Sequence, residues 1–247
     1  LGLTVQFMGS SDLDGDGIAE LAVAHGALLV VDNTFTTPAM FRAMEHGAGI
    51  VINSITKFLA GHSDVTLGYV AARDPGLRTA IYDAAVTWGT TPSPFDCWLA
   101  ERGLHTFDLR FEKAQATAAA LAAALAGRDG IRQVIYPGRA DHPHHNRAGT
   151  LFGGQFGNML SFEIEGGRDE VNSFVMNAGG IPFAPTLGDV GCTLSHPASS
   201  SHRALTEEGR AALGISEGYF RLSVGIEPPE LVLAELDAAL AAVRGES

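Results

Sequence analysis

Two short, uninterrupted apolar runs early in the chain constrain its fold most strongly. Residues 27–31 read ALLVV and stop at Asp32, while residues 49–53 read GIVIN and continue into Ser54. Apolar runs of this length, without polar alternation, are typical of strands that are buried on both faces of a parallel sheet. Both runs therefore predict neighbouring strands whose carboxyl ends carry polar side chains.

The segments around these runs extend the pattern. Pro38 begins a helical stretch, AMFRAMEHG, that ends at a glycine, and a third apolar run covers residues 67–72. The resulting order of strand, helix, strand, turn and strand predicts an α/β sheet. Ligands of such sheets bind beyond the carboxyl ends of the strands. Asp32 and Lys57 both follow such ends and are therefore candidate functional residues.

The second half of the chain predicts a smaller α+β domain joined through one long helix. We expect residues 1–107 to form part of a large α/β domain and residues 108–247 to form the connecting helix and the smaller domain. The predicted elements are an alanine-rich helix at 110–127, strands within 131–138, 158–167 and 220–227, and helices at 171–177 and 228–245.

Composition excludes several classes of function. A net charge of −12 argues against nucleic acid and against an anionic membrane surface as partners. No apolar run approaches the ~18 residues of a membrane span, and the N-terminus lacks the pattern of a signal peptide. Cys97 and Cys192 are the only cysteines, so no disulfide framework is expected. These observations predict a cytoplasmic protein.

Lysine is unusually scarce in this chain. Lys57 and Lys113 are the only lysines among 16 basic residues. A Schiff base requires an amine that can lose its proton, which arginine cannot supply. Lys57 lies close to two hydroxyl groups, those of Ser54 and Thr56, and downstream of the strand that ends at Asp32. Together these residues suggest pyridoxal 5′-phosphate (PLP), bound as a Schiff base.

Each of these residues also has an ordinary structural interpretation. A lysine after a strand is usually solvated, an aspartate at a strand end is often a helix N-cap, and Arg221 at the start of a strand could form a surface ion pair. The combination favours PLP, which needs an amine, a carboxylate for its pyridine nitrogen, and groups that hold its phosphate. Arg221 would then bind the substrate carboxylate through a bidentate fork.

Five segments in order resemble motifs of the Cys/Met-metabolism PLP-dependent enzymes: VVDNTFTTP, SITKFLAGHSD, GGQFGNMLSFEI, TLGDVGCTLSHPASSSH and GYFRLSVGIE. The resemblance implies the aspartate-aminotransferase-like fold of type I PLP enzymes, and a homotetramer built as a dimer of dimers that share active sites. By position, Lys57 is the Schiff-base lysine and Asp32 the pyridinium partner, while Ser54 and Thr56 bind the phosphate.

The resemblance also assigns substrate-binding residues in the second half. Arg221 binds the substrate carboxylate, Thr186 lies beside it, and Ser201 is a weaker candidate for orienting Arg221. The family has an upstream region with a phosphate loop and a ring-stacking tyrosine, so we expect the fold to be incomplete at the N-terminus of this chain. We also expect residues to be missing around positions 11–17, where the family has a further strand.

The predicted reaction is γ-elimination from a sulfur amino acid. Asp189 and Gly191 stand where many cystathionine synthases and lyases have glycine and glutamate, a pattern that resembles methionine γ-lyases and homoserine-ester sulfhydrylases. The prediction is therefore a carbon–sulfur lyase. The alternatives are a γ-replacement transferase, either a cystathionine γ-synthase or an O-acyl-homoserine sulfhydrylase, and a non-catalytic subunit with the same fold.

Two segments could suggest a metal, but neither predicts one. Asp12, Asp14 and Asp16 begin a DxDxDG string, yet Val23 occupies the position where a calcium-binding loop requires glutamate. The string DHPHHNR at 141–147 matches no standard zinc spacing and predicts a surface loop. We therefore expect no metal site.

Overall fold

The computed structural model describes residues 2–6 and 15–245. The chain forms two compact units. The first comprises Leu1–Asp108 and Asn146–Gln155, and the second comprises Leu109–His145 and Phe156–Ser247. The division proposed from the sequence, 1–107 and 108–247, concerns the domains of a complete enzyme and stays a prediction.

The first unit is built on a four-stranded sheet in the order β1-β2-β3-β4. Its elements are β1 (Gly2–Gln6), α1 (Gly15–Ala24), β2 (Leu28–Asp32), α2 (Thr37–Met40), β3 (Ile50–Ser54), β4 (Gly68–Ala72), α3 (Pro75–Trp88), α4 (Pro94–Leu104) and all but the first residue of α6 (His145–Leu151). The three strands predicted from apolar runs are present within a residue or two of their expected bounds.

The sheet is only partly parallel. Strands β1, β2 and β3 run in the same direction, and β4 pairs antiparallel to β3, with Ser54 opposite Gly68. The segment between β3 and β4 doubles back without a crossover helix, and a short return of this kind joins antiparallel strands. The core of this unit contains Ile18, Ala22, Leu29, Val31, Phe41, Ala43, Ala48 and Val51.

The predicted helix over residues 39–47 is wrong beyond Met40. Phe41 is extended, with φ −141° and ψ 117°, and residues 43–47 form turns. The Phe41 ring is only 2% exposed and stacks on His46 with ring centroids 4.6 Å apart. Burial of this ring outweighs the helical preference of the segment, because a buried phenylalanine contributes about 2–3 kcal/mol.

Two helices lie in a region to which the sequence analysis assigned no structure. Helix α3 begins after Asp74, whose carboxylate accepts the Leu77 N–H at 2.8 Å, and α4 begins after Ser93, whose hydroxyl accepts the Asp96 N–H at 3.1 Å. Each has proline at its first position, and Gly89 ends α3 with φ 67°. These are the usual start and stop signals of helices.

The second unit contains an antiparallel sheet in the order β5-β6-β8-β7. Its elements are most of α5 (Phe107–Leu125), β5 (Ile131–Ile135), β6 (Met159–Ile164), α7 (Arg168–Asn177), β7 (Thr193–Ser195), α8 (Glu207–Ala212), β8 (Tyr219–Ser223) and α9 (Pro229–Val243). The elements predicted in this half are present, and α8 and β7 were not predicted.

Alternation along the strands gives this sheet one apolar and one polar face. Along β6, Leu160, Phe162 and Ile164 are almost fully buried, and in β8 the same holds for Phe220 and Leu222. These side chains join apolar residues of α5, α7 and α9 in one core. The intervening residues, among them Arg221, must therefore point to the other face.

Candidate active site

Two predicted site residues lie at neighbouring strand ends in the first unit. Asp32 ends β2 and Ser54 ends β3, and the parallel register pairs Asp32 with Ile52. The ladder continues for one more bond, from the Asn33 N–H to the Ile52 carbonyl at 2.8 Å. Because β2 and β3 are parallel, their carboxyl ends meet at one edge of the sheet, where ligands of α/β sheets bind.

The Thr34 hydroxyl joins these two strand ends. It donates to Asp32 Oδ1 at 2.6 Å and accepts the Ser54 N–H at 2.9 Å, and the Thr34 N–H donates to the same carboxylate oxygen at 3.0 Å. Among the described residues, the other oxygen, Asp32 Oδ2, accepts no hydrogen bond. Sequence reasoning missed Thr34, although an aspartate side chain commonly accepts the backbone N–H two residues on, as Asp32 accepts that of Thr34, in an Asx turn.

Lys57 lies in the turn that follows β3. The turn is closed by bonds from the Ala60 N–H to the Ile55 carbonyl at 2.9 Å and from the Gly61 N–H to the Lys57 carbonyl at 2.8 Å. Helix α4 approaches this turn at Gly103, where an added Cβ would lie 2.5 Å from the Ala60 carbonyl oxygen. The backbone that carries Lys57 is therefore anchored by a glycine whose importance only the packing reveals.

The two predicted phosphate-binding hydroxyls differ in their surroundings. The Thr56 hydroxyl is bonded to the Leu67 backbone, donating to the carbonyl at 3.2 Å and accepting the N–H at 2.9 Å. In the part of the chain that the structure describes, the Ser54 hydroxyl has no such partner. The Ser54 hydroxyl can therefore donate a hydrogen bond to an anion without breaking an existing one, whereas the Thr56 hydroxyl also stabilises the turn. Phosphate binding by both residues stays a prediction.

Backbone strain lies close to the same residues. Among the described residues, only Thr37 (φ 55°) and Ser63 (φ 54°) are non-glycine residues with positive φ. Thr37 is fully buried and β-branched, which makes this conformation especially unfavourable. Thr37 follows the strand that ends at Asp32, and Ser63 follows the turn that carries Lys57. Strain of about 1–3 kcal/mol per residue persists where function requires it, so both positions support a site here.

Arg221 lies on the polar face of the sheet in the second unit. Burial lowers the pKa of its guanidinium, and the charge of Tyr219 opposes this effect. Its buried Nε donates no hydrogen bond, and within the described residues no carboxylate pairs with it. A half-buried cation without a counter-ion is unfavourable, so this position suits an anion that arrives from outside.

Hydroxyl groups flank Arg221 on both neighbouring strands. The register pairs Arg221 with Ser161 of β6 and with Ser195 of β7. Directly paired residues project to the same face, so the guanidinium shares its face with two small polar side chains. The Ser195 hydroxyl donates to the Arg221 carbonyl at 3.4 Å. The sequence analysis missed both serines, because only the register brings them beside Arg221.

The remaining predicted residues also lie in the second unit. Thr186 is half-buried, and its carbonyl accepts the Thr193 hydroxyl at 3.4 Å. Ser201 is exposed, and its hydroxyl is hydrogen-bonded to His202 Nδ1 at 2.9 Å. The serines that the strand register pairs with Arg221 are Ser161 and Ser195, and Ser201 is not among them. The roles assigned to Thr186 and Ser201 stay predictions.

The remaining predictions concern the segment near residues 11–17 and the two strings that could suggest a metal. Residues were expected to be missing around positions 11–17; of these positions, 11–14 and the side chains of Asp12, Asp14 and Asp16 lie outside the described residues, and α1 begins at Gly15. Of the residues that are described, no group of three or more His, Cys, Asp and Glu could hold a metal ion. The rings of His142 and His144 contact each other edge to face, with ring centroids 6.0 Å apart.

The residues at the sheet edge fit PLP. Within the described ranges, the fold supplies an amine at Lys57, a carboxylate at Asp32 with one oxygen that accepts no hydrogen bond, and a hydroxyl at Ser54 without a hydrogen-bond partner. An α/β unit with these groups at the carboxyl ends of its strands belongs to the class of PLP-binding enzymes. More narrowly, residues 8–241 match the family described as Cys/Met metabolism PLP-dependent enzyme, and the chain belongs to this family.

Individual relatives agree with this assignment. The chain is 40% identical to cystathionine β-lyase of Bacillus subtilis over 227 residues, which cover 92% of this chain and 58% of that enzyme. It is 39% identical to L-methionine γ-lyase of Pseudomonas putida, covering 92% of this chain and 57% of the relative. Cystathionine γ-synthase of Xanthomonas oryzae superposes with a TM-score of 0.91 at 42% identity, covering 100% of this chain and 64% of that one.

These comparisons confirm the family, the type I PLP fold and the PLP cofactor predicted from the sequence. The chain spans less than two thirds of the length of these relatives. No helix in the described ranges is long and apolar enough to cross a membrane. The cytoplasmic location stays a prediction.

Proposed function

We propose that the protein containing this chain is a PLP-dependent carbon–sulfur lyase that acts on a sulfur amino acid by γ-elimination. The single observation that carries the proposal is the carboxyl edge of β2 and β3, where Asp32, held by Thr34, lies one strand from the segment bearing Lys57. The family membership supports the cofactor, and the 39% identity to a methionine γ-lyase supports the reaction type.

The chain's own residues have distinct tasks in this proposal. PLP supplies an aldehyde that condenses with amines and a ring that withdraws electrons. Lys57 holds the cofactor, accepts the Cα proton of the substrate, passes it on, and then accepts a proton from Cβ, so that the electrons of this C–H bond form the Cβ–Cγ double bond as the sulfur leaves. Asp32 keeps a proton on the pyridine nitrogen, and Ser54 and Thr56 bind the phosphate. Arg221 binds the substrate carboxylate, with Thr186 beside it, and Ser201 is the weaker candidate for orienting Arg221.

The products follow from the atoms exchanged. Elimination breaks the bond between Cγ and sulfur, and the sulfur leaves as a thiol after taking a proton. Water then hydrolyses the remaining unsaturated amine to a 2-oxo acid and ammonia. The substrates that we propose are methionine and related thioethers, and the thiol homocysteine, from which the sulfur leaves as hydrogen sulfide. Water must reach the intermediate for elimination, whereas replacement requires its exclusion until a thiol arrives.

A γ-replacement transferase is the second candidate. The observation that favours it is the 42% identity to a cystathionine γ-synthase of X. oryzae, together with close superposition over the whole chain. Such an enzyme, or an O-acyl-homoserine sulfhydrylase, would combine an activated homoserine ester with a thiol. For either function, the partners that we propose are a small amino-acid substrate and further copies of the protein in a homotetramer.

The cofactor role of Lys57 can be tested by reduction. Sodium borohydride should fix PLP covalently on the peptide that contains Lys57, and Lys57→Arg should abolish the label. Lys113→Arg is the matched control, since Lys113 is the other lysine of this chain. Label on Lys113, or none in the presence of bound PLP, would overturn the assignment.

The reaction class can be tested by product release. Without a second substrate, the full-length protein should release a 2-oxo acid together with a thiol from methionine or cystathionine, or together with hydrogen sulfide from homocysteine. Product formed only when an acylated homoserine and a thiol are both supplied would favour the transferase. Absence of any product with PLP bound at Lys57 would favour the non-catalytic subunit. Sedimentation of the holoprotein would test the tetramer.

A further inference from the structure

The segment from Thr186 to Cys192, here called the 186–192 loop, precedes β7 and is fastened to β8. The Gly188 N–H donates to the Ser223 hydroxyl at 2.9 Å, and Ser223 is 1% exposed. Further along the loop, the Ile226 N–H donates to the Val190 carbonyl at 2.9 Å. The loop is therefore held along its length by β8 and the residues that follow it.

Glu227 makes the strongest of these attachments. Its Oε1 accepts the Cys192 N–H at 2.6 Å, and its Oε2 accepts the Cys192 thiol at 3.2 Å. A hydrogen bond to a carboxylate is about twice as strong as one between neutral groups. Burial raises the pKa of the Cys192 thiol to about 12, so the thiol remains a donor at neutral pH. Both carboxylate oxygens of Glu227 are thus occupied within the protein.

The same strand carries Arg221. Arg221 and Ser223 are two residues apart on β8 and therefore point to the same face of the sheet. Ser223 and Glu227 thus connect the loop that bears Thr186 to the chain segment that bears Arg221.

We propose that Glu227 and Ser223 are positioning residues that hold the 186–192 loop so that Thr186 lies beside a carboxylate bound by Arg221. This inference rests on the proposed function in one respect, the binding of a substrate carboxylate at Arg221. Glu227 contacts no substrate in this scheme, because its oxygens are already bonded to Cys192. Its removal should weaken substrate binding and leave the PLP site of the first unit intact.

The test uses glycine as the probe, because it has the shared carboxylate and amine and no leaving group. Glycine binding to the full-length, PLP-loaded protein is followed by the change in cofactor absorbance. Glu227→Ala should raise the Kd for glycine about tenfold, with unchanged PLP content. Glu227→Gln, which keeps an acceptor for the Cys192 N–H, should restore most of the affinity. Glu230→Ala is the matched control, because it removes an exposed carboxylate three residues away.

Two outcomes separate this inference from the proposed function. If Arg221→Ala abolishes glycine binding and Glu227→Ala leaves the Kd within twofold of the wild type, the positioning role is wrong. If Arg221→Ala leaves glycine binding unchanged, the proposed carboxylate site is wrong. Should Glu227→Ala fail to fold, Ser223→Ala decides, since it removes only the bond to Gly188. An unchanged Kd in Ser223→Ala would then overturn the inference.

Discussion

Replacing Thr34 with valine should test whether the two strand ends of the candidate site are joined by one hydroxyl. Valine keeps the shape of threonine but removes the donor to Asp32 Oδ1 at 2.6 Å and the acceptor of the Ser54 N–H at 2.9 Å. Thr34 is 8% exposed, so water cannot freely replace the lost group. The Thr34 N–H would still reach the Asp32 carboxylate.

The magnitude follows from the two bonds. A hydrogen bond to a charged group contributes about 1.5–3 kcal/mol, and a neutral one about 1 kcal/mol. The Asp32 carboxylate is partly exposed, which reduces the first figure. We therefore expect Thr34→Val to lower the free energy of unfolding by about 2–3 kcal/mol. For a chain of this length, that corresponds to a fall in Tm of roughly 5–10 °C.

The assay compares thermal unfolding of the wild type, Thr34→Val and Thr34→Ser, each with and without PLP. Thr34→Ser keeps the hydroxyl and loses only a methyl group, so it should unfold within about 1 kcal/mol of the wild type. Thr34→Val should also bind PLP more weakly, because the Asp32 carboxylate loses one of its two bonds. A valine variant as stable as the wild type, or a serine variant as unstable as valine, would refute this reasoning.

Three further substitutions address other parts of the site. Asp32→Asn should retain PLP, seen by absorbance, while release of 2-oxo acid falls by about 100-fold or more; near-normal turnover would assign the ring-nitrogen role elsewhere. Arg221→Lys should raise the KM for the amino acid about tenfold with PLP binding unchanged. Weaker PLP binding with an unchanged KM would instead assign Arg221 to the phosphate of PLP. Gly103→Ala should lower the free energy of unfolding by about 1–3 kcal/mol and weaken PLP binding, because the added Cβ would lie 2.5 Å from the Ala60 carbonyl oxygen. Gly179→Ala, which adds a methyl group in open space, should leave Tm unchanged, and equal losses in the two glycine variants would contradict the packing argument.

Patterns of apolar and polar residues within short segments predicted much of the fold, because such patterns determine which secondary structure can bury the apolar side chains. The apolar runs that became β2 and β3 lack polar alternation, which is typical of strands in a parallel sheet, although Ile52 of β3 is 36% exposed and this strand is not buried on both faces. The antiparallel direction of β4 and the early end of α2 were not predictable in this way. Phe41 leaves the helix because its ring packs against His46, a near neighbour in the sequence, and against Phe152, which only folding brings close.

In the candidate site, too, some features were predictable from the sequence and others only from the tertiary structure. The sequence by itself determined the family and predicted the site chemistry, since Lys57, Asp32 and Arg221 occur in motifs whose residue types PLP and a substrate carboxylate would require. Tertiary structure alone decided how these groups are held: Thr34 on Asp32, Gly103 against the turn of Lys57, and Glu227 on the 186–192 loop. The physical reason is distance along the chain. A functional group is chosen by its own chemistry, whereas the contacts that orient it join residues that only folding brings within hydrogen-bond reach.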